Sequence, residues 1–297
     1  MPELPEVETI RGQLEKYLKG SPRGGAGHKI IGVEAHYKNF EGKGKDLVGG
    51  KVVKVRRFGK VMVIDLDNDY SIVVHIKLTG QFIYRGPNLK QTSQLSKKVI
   101  GGVPGKHTHV TFELDRGGVL YYNDVRRFGW IKVVKTKDVE EIPFIKTLGP
   151  EPKVVQGPSV QAALTLSLFR NVLSKSGRPV KIVLMDQEKI GGVGNIYAND
   201  ALWLAGINPK RESKNLRNDE IMKLYEAIHK VLKEGIKYGG ASELAYVTPD
   251  GKEGEYQRHT LAYGKEGEPC ERCHKAKFVK YFLGGRGTYV CPICQRE

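Results

Sequence analysis

Residues 270–294 read CERCHKAKFVKYFLGGRGTYVCPIC. Cys270 and Cys273 form one Cys-x2-Cys knuckle and Cys291 and Cys294 a second, with 17 residues between them. Two such knuckles supply four thiolates for one tetrahedral zinc, with no ligand position left open, so the metal folds the segment rather than catalyses. All four cysteines of the chain lie here, which favours metal over a disulfide framework in a reducing compartment. The segment shows no helical periodicity and is expected to be a zinc-stapled hairpin. Between the knuckles stands Gly284-Gly285-Arg286-Gly287-Thr288. Glycines let a backbone approach a phosphate closely, and an arginine grips one bidentately, although a solvated loop arginine would look the same.

Immediately before this hairpin the chain reads as helical. The expected helices are 160–174, 180–188, 196–205 and 219–237, the last closed by Gly239-Gly240. Gly191-Gly192-Val193-Gly194-Asn195 opens the third of them. Exposed backbone N–H groups at such a start can hold an anion, but a tight turn between packed helices has the same pattern. No Gly-Lys-Ser/Thr follows, so it is not a nucleotide-binding Walker loop. A loop at 241–255 with Pro249-Asp250-Gly251 is expected to be flexible.

Leu148-Gly149-Pro150-Glu151-Pro152 reads as a linker. Before it come segments rich in Val, Ile and Tyr, at 29–35, 51–57, 61–66, 71–76, 109–114, 119–123 and 129–134, divided by Gly, Asp and Asn. Many short strands in succession predict a sandwich or barrel. Two loops interrupt them: the Gly-rich 21–27 and the polar 86–105, long enough to be expected mobile. One helix precedes the strands, with Pro5 in its first turn and Val7, Ile10, Leu14 and Leu18 forming an apolar stripe.

With 297 residues, more than one core is expected. Forty-nine Lys and Arg against 33 Asp and Glu leave a net charge of +16, a field suited to a polyanion such as nucleic acid. No run approaches the ~18–20 apolar residues that span a bilayer, and residues 1–20 lack the basic and apolar regions of a signal peptide. The expectation is a cytoplasmic, nucleoid-associated monomer with no membrane partner.

The first residues carry the most specific chemistry. A small penultimate residue such as Pro2 normally permits removal of Met1, which exposes a secondary amine. α-Amino groups titrate near neutrality, so a useful fraction of such an amine is nucleophilic at pH 7. Attack on a sugar C1′ gives an iminium that has no N–H proton to lose and remains an electron sink. Glu3 lies beside it and Glu6 one helical turn on; one carboxylate could shuttle protons while the other orients the site. Acidic residues also simply favour a helix N-terminus.

Met1-Pro2-Glu3-Leu4-Pro5-Glu6-Val7-Glu8-Thr9 resembles the start of the bacterial formamidopyrimidine-DNA glycosylases. Further matching pieces follow in order: Arg57-Phe58-Gly59-Lys60, Lys106-His107-x-His109, Asp124-Val125-Arg126-Arg127-Phe128-Gly129, the 148–152 segment, Gly192-Val193-Gly194-Asn195-Ile196-Tyr197 and the zinc knuckles. The similarity covers essentially the whole chain, and the related endonuclease VIII group resembles it less. The resemblance implies an α+β multidomain fold: a catalytic β-sandwich with an N-terminal helix at 1–135, a linker at 136–152, a helix-two-turn-helix domain with a lesion loop at 153–260, and a zinc finger at 261–297. DNA would lie in the cleft between them. It implies excision of oxidised purines, 8-oxoguanine and formamidopyrimidines, from double-stranded DNA, followed by nicking at the abasic site by β,δ-elimination. Carried over by position, Pro2 is the Schiff-base nucleophile and Glu3 the proton donor, with Glu6 supporting. Lys60 assists β-elimination and Arg286 δ-elimination. Asn195 and Arg286 grip the lesion's phosphate, and His107 and Arg126 contact DNA. Leu78, Arg126 and Phe128 fill the duplex where the damaged nucleotide is flipped out. Cys270, Cys273, Cys291 and Cys294 hold one structural zinc.

Some positions depart from the family pattern. Leu78 stands where Met is usual. Gly177 replaces a phosphate-contacting lysine, with Lys175 and Arg178 nearby, and loops 21–27 and 86–105 look long. Residues 243–245 of the lesion loop differ, which leaves lesion preference open. Two alternatives remain at this stage: a protein that binds lesions without chemistry, and an enzyme for oxidised pyrimidines. Only an enzyme needs the free Pro2 amine, Glu3 and Lys60.

Overall fold

The computed structural model describes residues 1–19, 27–87, 89, 94–154 and 162–296. The chain forms two compact units. The first comprises chiefly Met1–Lys146 and returns for Tyr238–Gln257; the second comprises chiefly the intervening residues and Arg258–Glu297.

In the first unit, helix α1 spans Leu4–Leu18. Its stripe is buried as the spacing predicts, with Val7, Ile10, Leu14 and Leu18 each at most 1% exposed. Among the described residues nine strands follow: β1 Ile30–Ala35, β2 Phe40–Glu41, β3 Val52–Phe58, β4 Val61–Leu66, β5 Tyr70–His75, β6 Gly80–Arg85, β7 Thr108–Leu114, β8 Val119–Asp124 and β9 Trp130–Lys135. One sheet has the order β1-β7-β8-β6 and the other β2-β9-β5-β4-β3. All pairs are antiparallel except β2 with β9. The two sheets and α1 share one core, with Val55, Ile64 and Val74 from one sheet and Phe82, Phe112 and Tyr122 from the other. A short helix, α2 at Pro143–Lys146, closes this stretch.

Strands β2 and β6 are additions to the expected set. β6, Gly-Gln-Phe-Ile-Tyr-Arg, is buried on both faces and so lacks the alternation by which a half-buried strand is recognised. Phe82 and Tyr84 enter the main core, while Ile83 packs with Val99 and Val247 in a second, smaller cluster. That cluster bears on the two loops expected to be mobile, 86–105 and 241–255; residues 88 and 90–93 of the first lie outside the described residues. Residues 94–105 and 241–255 are pinned to each other and to β6. Ser96 N–H donates to the Gly251 carbonyl at 2.9 Å, and Tyr84 N–H to Pro249 at 2.8 Å. The Gln81 amide donates to the carbonyls of Lys98 (2.9 Å) and Ala245 (2.5 Å). Lys98 donates to the Ser242 carbonyl and pairs with Glu253 at 3.0 Å. Polar composition and a Pro-Asp-Gly turn mark an irregular backbone, not a loose one. The expected loop 21–27 lies, but for Gly27, outside the described residues.

The second unit carries α3 Leu166–Ser174, α4 Val180–Met185, α5 Asn195–Ala205 and α6 Asn218–Lys237. Helix α3 starts later than expected because the Thr165 side chain caps it, accepting from Leu168 N–H; residues 160 and 161 lie outside the described set. Helix α4 stops at Met185, short of the expected residue 188. The Gln187 side chain takes over there, donating to the carbonyls of Met185 (2.8 Å) and Val193 (2.7 Å). Strands β10 Val279–Leu283 and β11 Arg286–Val290 form the expected hairpin. Its two-residue turn, Gly284-Gly285, has φ of 57° and 71°. Positive φ at both central residues is the conformation that matches strand twist and that glycine adopts without strain.

Val99→Ala removes two methyl groups from the small cluster under β6. It is expected to lower stability by about 1–2.5 kcal/mol and to make residues 241–255 more sensitive to limited proteolysis; urea midpoints and cleavage mapping check both.

Candidate functional site

Helix α1 begins at a buried, acid-rich terminus. Pro2 and Glu3 are both buried. Glu3 is the N-cap, and a reciprocal capping box links it to Glu6: the Glu3 side chain accepts from Glu6 N–H, and Glu6 Oε2 accepts from Glu3 N–H at 2.7 Å. The other Glu6 oxygen accepts from Ala241 N–H at 2.8 Å. Gly240 makes that approach possible, because a Cβ there would stand 2.8 Å from Glu6 Cγ. Two carboxylates are thus held around the first turn, where the helix dipole favours negative charge.

Lys60 lies in the β3–β4 turn and is 3% exposed. A buried chain of charges ties this turn to α1. Arg57 donates from Nε to Glu8 Oε2 at 2.9 Å and from a terminal nitrogen to the Gly59 carbonyl at 2.8 Å. Glu8 also accepts from Arg11 at 2.8 Å. Arg57 is 2% exposed, so its charge is sheltered from screening by solvent. Sequence reading placed Arg57 and Glu8 in motifs but gave them no role; an arginine and a glutamate 49 positions apart carry no pairing signal.

At the end of β5, His75 is buried beneath the β5–β6 turn. Burial first, then the positive charges of Lys77 and Lys60, push its imidazole down to about 3. Its Nδ1 lies 3.1 Å from Lys77 N–H and accepts from it, so the ring proton sits on Nε2. Trp130 and Phe144 flank the ring, at centroid distances of 5.9 and 5.2 Å.

Leu78 follows in the same turn. Arg126 and Phe128 lie in the β8–β9 turn, both exposed, with the Arg126 guanidinium 4.6 Å from the Phe128 ring centroid. The two turns are fastened together. Arg126 N–H donates to Thr79 Oγ1 at 3.0 Å, and Thr79 in turn donates to the buried Asp124 carboxylate. Asp124 also accepts from Gly129 N–H (2.8 Å) and the Tyr37 hydroxyl (2.9 Å). Leu78, Arg126 and Phe128 therefore stand on one braced platform. His107 is half-exposed in the same unit; partial burial, then Lys106, His109 and Arg127, lower its pKa and favour the neutral ring.

The second unit holds the remaining residues singled out by sequence. Asn195 is the first residue of α5, and Arg286 the first of β11, exposed and with no ion pair among the described residues. Two buried side chains connect their elements. Asn199 donates to the carbonyls of Asn195 (2.7 Å) and Gly287 (3.3 Å) and accepts from Tyr289 N–H (2.9 Å). Lys181 Nζ, fully buried, donates to the Gly287 carbonyl and Thr288 Oγ1, each at 2.8 Å. Lys181 and Asn199 were not singled out from sequence. Asn199 sits one turn after Asn195, which is a weak signal; Lys181 gives none.

Cys270, Cys273, Cys291 and Cys294 bring their sulfurs within 4.8 Å of one another. Cys270–Cys294 and Cys273–Cys291 are separated by 3.8 and 3.6 Å. A regular tetrahedron with Zn–S near 2.3 Å requires S···S of about 3.8 Å, so the cluster fits one structural zinc and is too open for disulfides. Among the described residues no helix is long and apolar enough to cross a membrane.

A nine-stranded unit with a buried acidic helix start, and a helical unit ending in a four-cysteine hairpin, define a zinc-finger helix-two-turn-helix protein. Residues 1–131 match the family described as the formamidopyrimidine-DNA glycosylase N-terminal domain, and residues 148–245 its H2TH domain. A formamidopyrimidine-DNA glycosylase of Pelotomaculum thermopropionicum is 35% identical, over 100% of this chain and 99% of that protein. A crystal structure of MutM (Fpg) from Thermus thermophilus superimposes with a TM-score of 0.82 at 34% identity, covering 100% and 99% of the two chains. The Lactococcus lactis Fpg complex with abasic-site DNA gives 0.82 at 33%, covering 99% and 100%. The chain belongs to the formamidopyrimidine-DNA glycosylase family.

Two outcomes test this geometry. In the unfolded chain a histidine takes up a proton below about pH 6.5, whereas folded His75 stays neutral down to about 3. The unfolded state then binds more protons, so stability falls as pH drops through that window. The parent should lose about 1.4 kcal/mol more per pH unit than His75→Gln between about pH 6 and pH 4.5, read by denaturant titration. Stripping zinc, or Cys273→Ser, should unfold the β10–β11 hairpin and abolish strand cleavage; full cleavage by metal-free protein would refute a structural role for the cluster.

Proposed function

We infer that this chain is a bifunctional DNA glycosylase and abasic-site lyase that excises oxidised purines, including formamidopyrimidines, from duplex DNA. Full-length family membership supports the activity, and the tie from α1 through Glu8, Arg57 and Gly59 to the Lys60 turn is the observation that carries the residue assignment. It holds the turn bearing a buried ammonium against the helix whose first residues carry the amine and two carboxylates.

Once Met1 is removed, the Pro2 nitrogen attacks C1′ of the damaged nucleotide. The C1′–N bond breaks, its electrons leave with the base, and a proton from Glu3 neutralises them. The Pro2 nitrogen gives up its proton, the C1′–O4′ bond breaks with its electrons going to O4′, which takes up a proton, and the nitrogen and C1′ become an iminium. Its positive nitrogen acidifies the C2′ proton; loss of that proton expels the 3′ phosphate, and a second elimination expels the 5′ phosphate. Lys60 assists the first and Arg286 the second. Glu6 acts indirectly, by holding Glu3 and Ala241 in place. From the second unit, Asn195 and Arg286 hold the phosphate at the lesion. Leu78, Arg126 and Phe128 occupy the space the flipped nucleotide vacates, and their common platform supports acting as one wedge. His107 contacts the backbone.

Incubation with duplex containing 8-oxoguanine opposite cytosine, followed by borohydride, should trap a covalent protein–DNA adduct. Retaining Met1 or acetylating the Pro2 nitrogen should abolish it. An adduct of parental yield from the blocked protein would overturn the Pro2 assignment, and equal trapping on undamaged duplex would overturn the substrate class.

A further inference from the structure

Lys77 combines three properties. Its backbone φ is +51°, in the left-handed region that a side-chain-bearing residue adopts only under strain. Its ammonium is half-buried and partly desolvated, enough to lower its pKa. The ammonium lies 5.3 Å from the Phe144 ring centroid and has no carboxylate partner among the described residues. A half-buried lysine ordinarily offsets its desolvation with an acidic neighbour; a ring face compensates only in part.

Its neighbours explain what such a charge is for. Lys77 and Lys60 both act on His75 electrostatically, so the β3–β4 and β5–β6 turns each add positive charge around one imidazole. The next residue, Leu78, belongs to the platform that Thr79 fastens to Arg126. Arg126, Arg127 and Lys77 all stand on these two turns, with no ion pair to any described carboxylate. The strained backbone at Lys77 also places its N–H on His75 Nδ1, which fixes the imidazole proton on Nε2. Cationic donors without an internal anion, beside a duplex-entering loop, match the phosphodiester backbone of DNA.

We propose that Lys77 is a DNA-phosphate-binding residue of the β5–β6 turn, which clamps the backbone next to the wedge. The proposal rests on the glycosylase reading, in which Leu78 enters the duplex. A protein carboxylate as the natural partner is the competing occupant.

The test compares Lys77→Gly, Lys77→Met and Lys77→Arg in the zinc-loaded full chain. Affinity for a duplex bearing a tetrahydrofuran abasic analogue is followed by anisotropy from about 50 to 300 mM salt. Loss of one phosphate contact should weaken Lys77→Gly and Lys77→Met about 5-fold at about 150 mM salt and make the slope of log K against log salt shallower by about 0.9. Lys77→Arg should keep both. Glycine relieves the positive φ, so the Lys77→Gly melting temperature should hold or rise by up to about 3 °C. Binding weakened while stability is held is a result that a merely structural lysine cannot produce. The proposal is overturned if Lys77→Gly and Lys77→Met bind with parental affinity and slope, if Lys77→Arg is as weak as Lys77→Gly, or if Lys77→Gly melts lower in step with its lost binding. A parent that does not bind the abasic duplex at all would instead remove the glycosylase reading, and this inference with it.

Discussion

One buried carboxylate organises the first unit. Glu6 is 1% exposed and commits one oxygen to Glu3 N–H and the other to Ala241 N–H, 235 positions away. Each contact is a charge-assisted hydrogen bond between a full charge and a backbone donor in a sheltered setting, the kind that contributes most and is most costly to break. Glu8, one half-turn on, makes the corresponding link to Arg57 and so to Gly59. The opening turns of α1 are therefore a hub from which loop 241–255 and the β3–β4 turn are both placed. Sites that must meet a substrate within a fraction of an ångström need support of this kind behind the reacting groups.

The second unit reaches a comparable result by different means. Its hairpin is short, exposed along much of β10, and too small to bury a core of its own. The four cysteines fasten its base, while Lys181 and Asn199 hold the backbone at Gly287 beside the turn. Arg286 stands next to the Gly287 anchorage on its turn side, so a long and flexible side chain projects from a fixed root. Metal supplies the stability that apolar area cannot, and the buried lysine and asparagine supply the direction.

Periodicity and spacing revealed the elements that are amphipathic or metal-bound. The 7, 10, 14, 18 stripe of α1 and the two Cys-x2-Cys knuckles are local patterns, and both could be read without a fold. β6 escaped because Ile83 is buried as deeply as Phe82 and Tyr84, which erases alternation. Loops 86–105 and 241–255 were expected to move, the first for its polar length and the second for its Pro-Asp-Gly turn; the clasp of Val99, Val247 and Ile83 joins segments far apart in sequence. In the candidate site, the resemblance supplied the residues expected to meet DNA. Of those that hold them it supplied only Glu6, because Arg57, Lys181, Asn199 and the His75–Lys77 pair act through contacts that exist only after folding.

The discontinuity of the first unit gives the order of synthesis a consequence. Residues up to 146 emerge about ninety positions before Tyr238, an interval of roughly 5–20 s at ribosomal rates of about 5–20 residues per second. Throughout that interval Glu6 lacks its Ala241 partner, so the clasp over the start of α1 is incomplete. In the finished fold Pro2 is buried. Chain topology thus sets an order: the start of α1 is made first and closed afterwards, when the last strip of the first unit arrives.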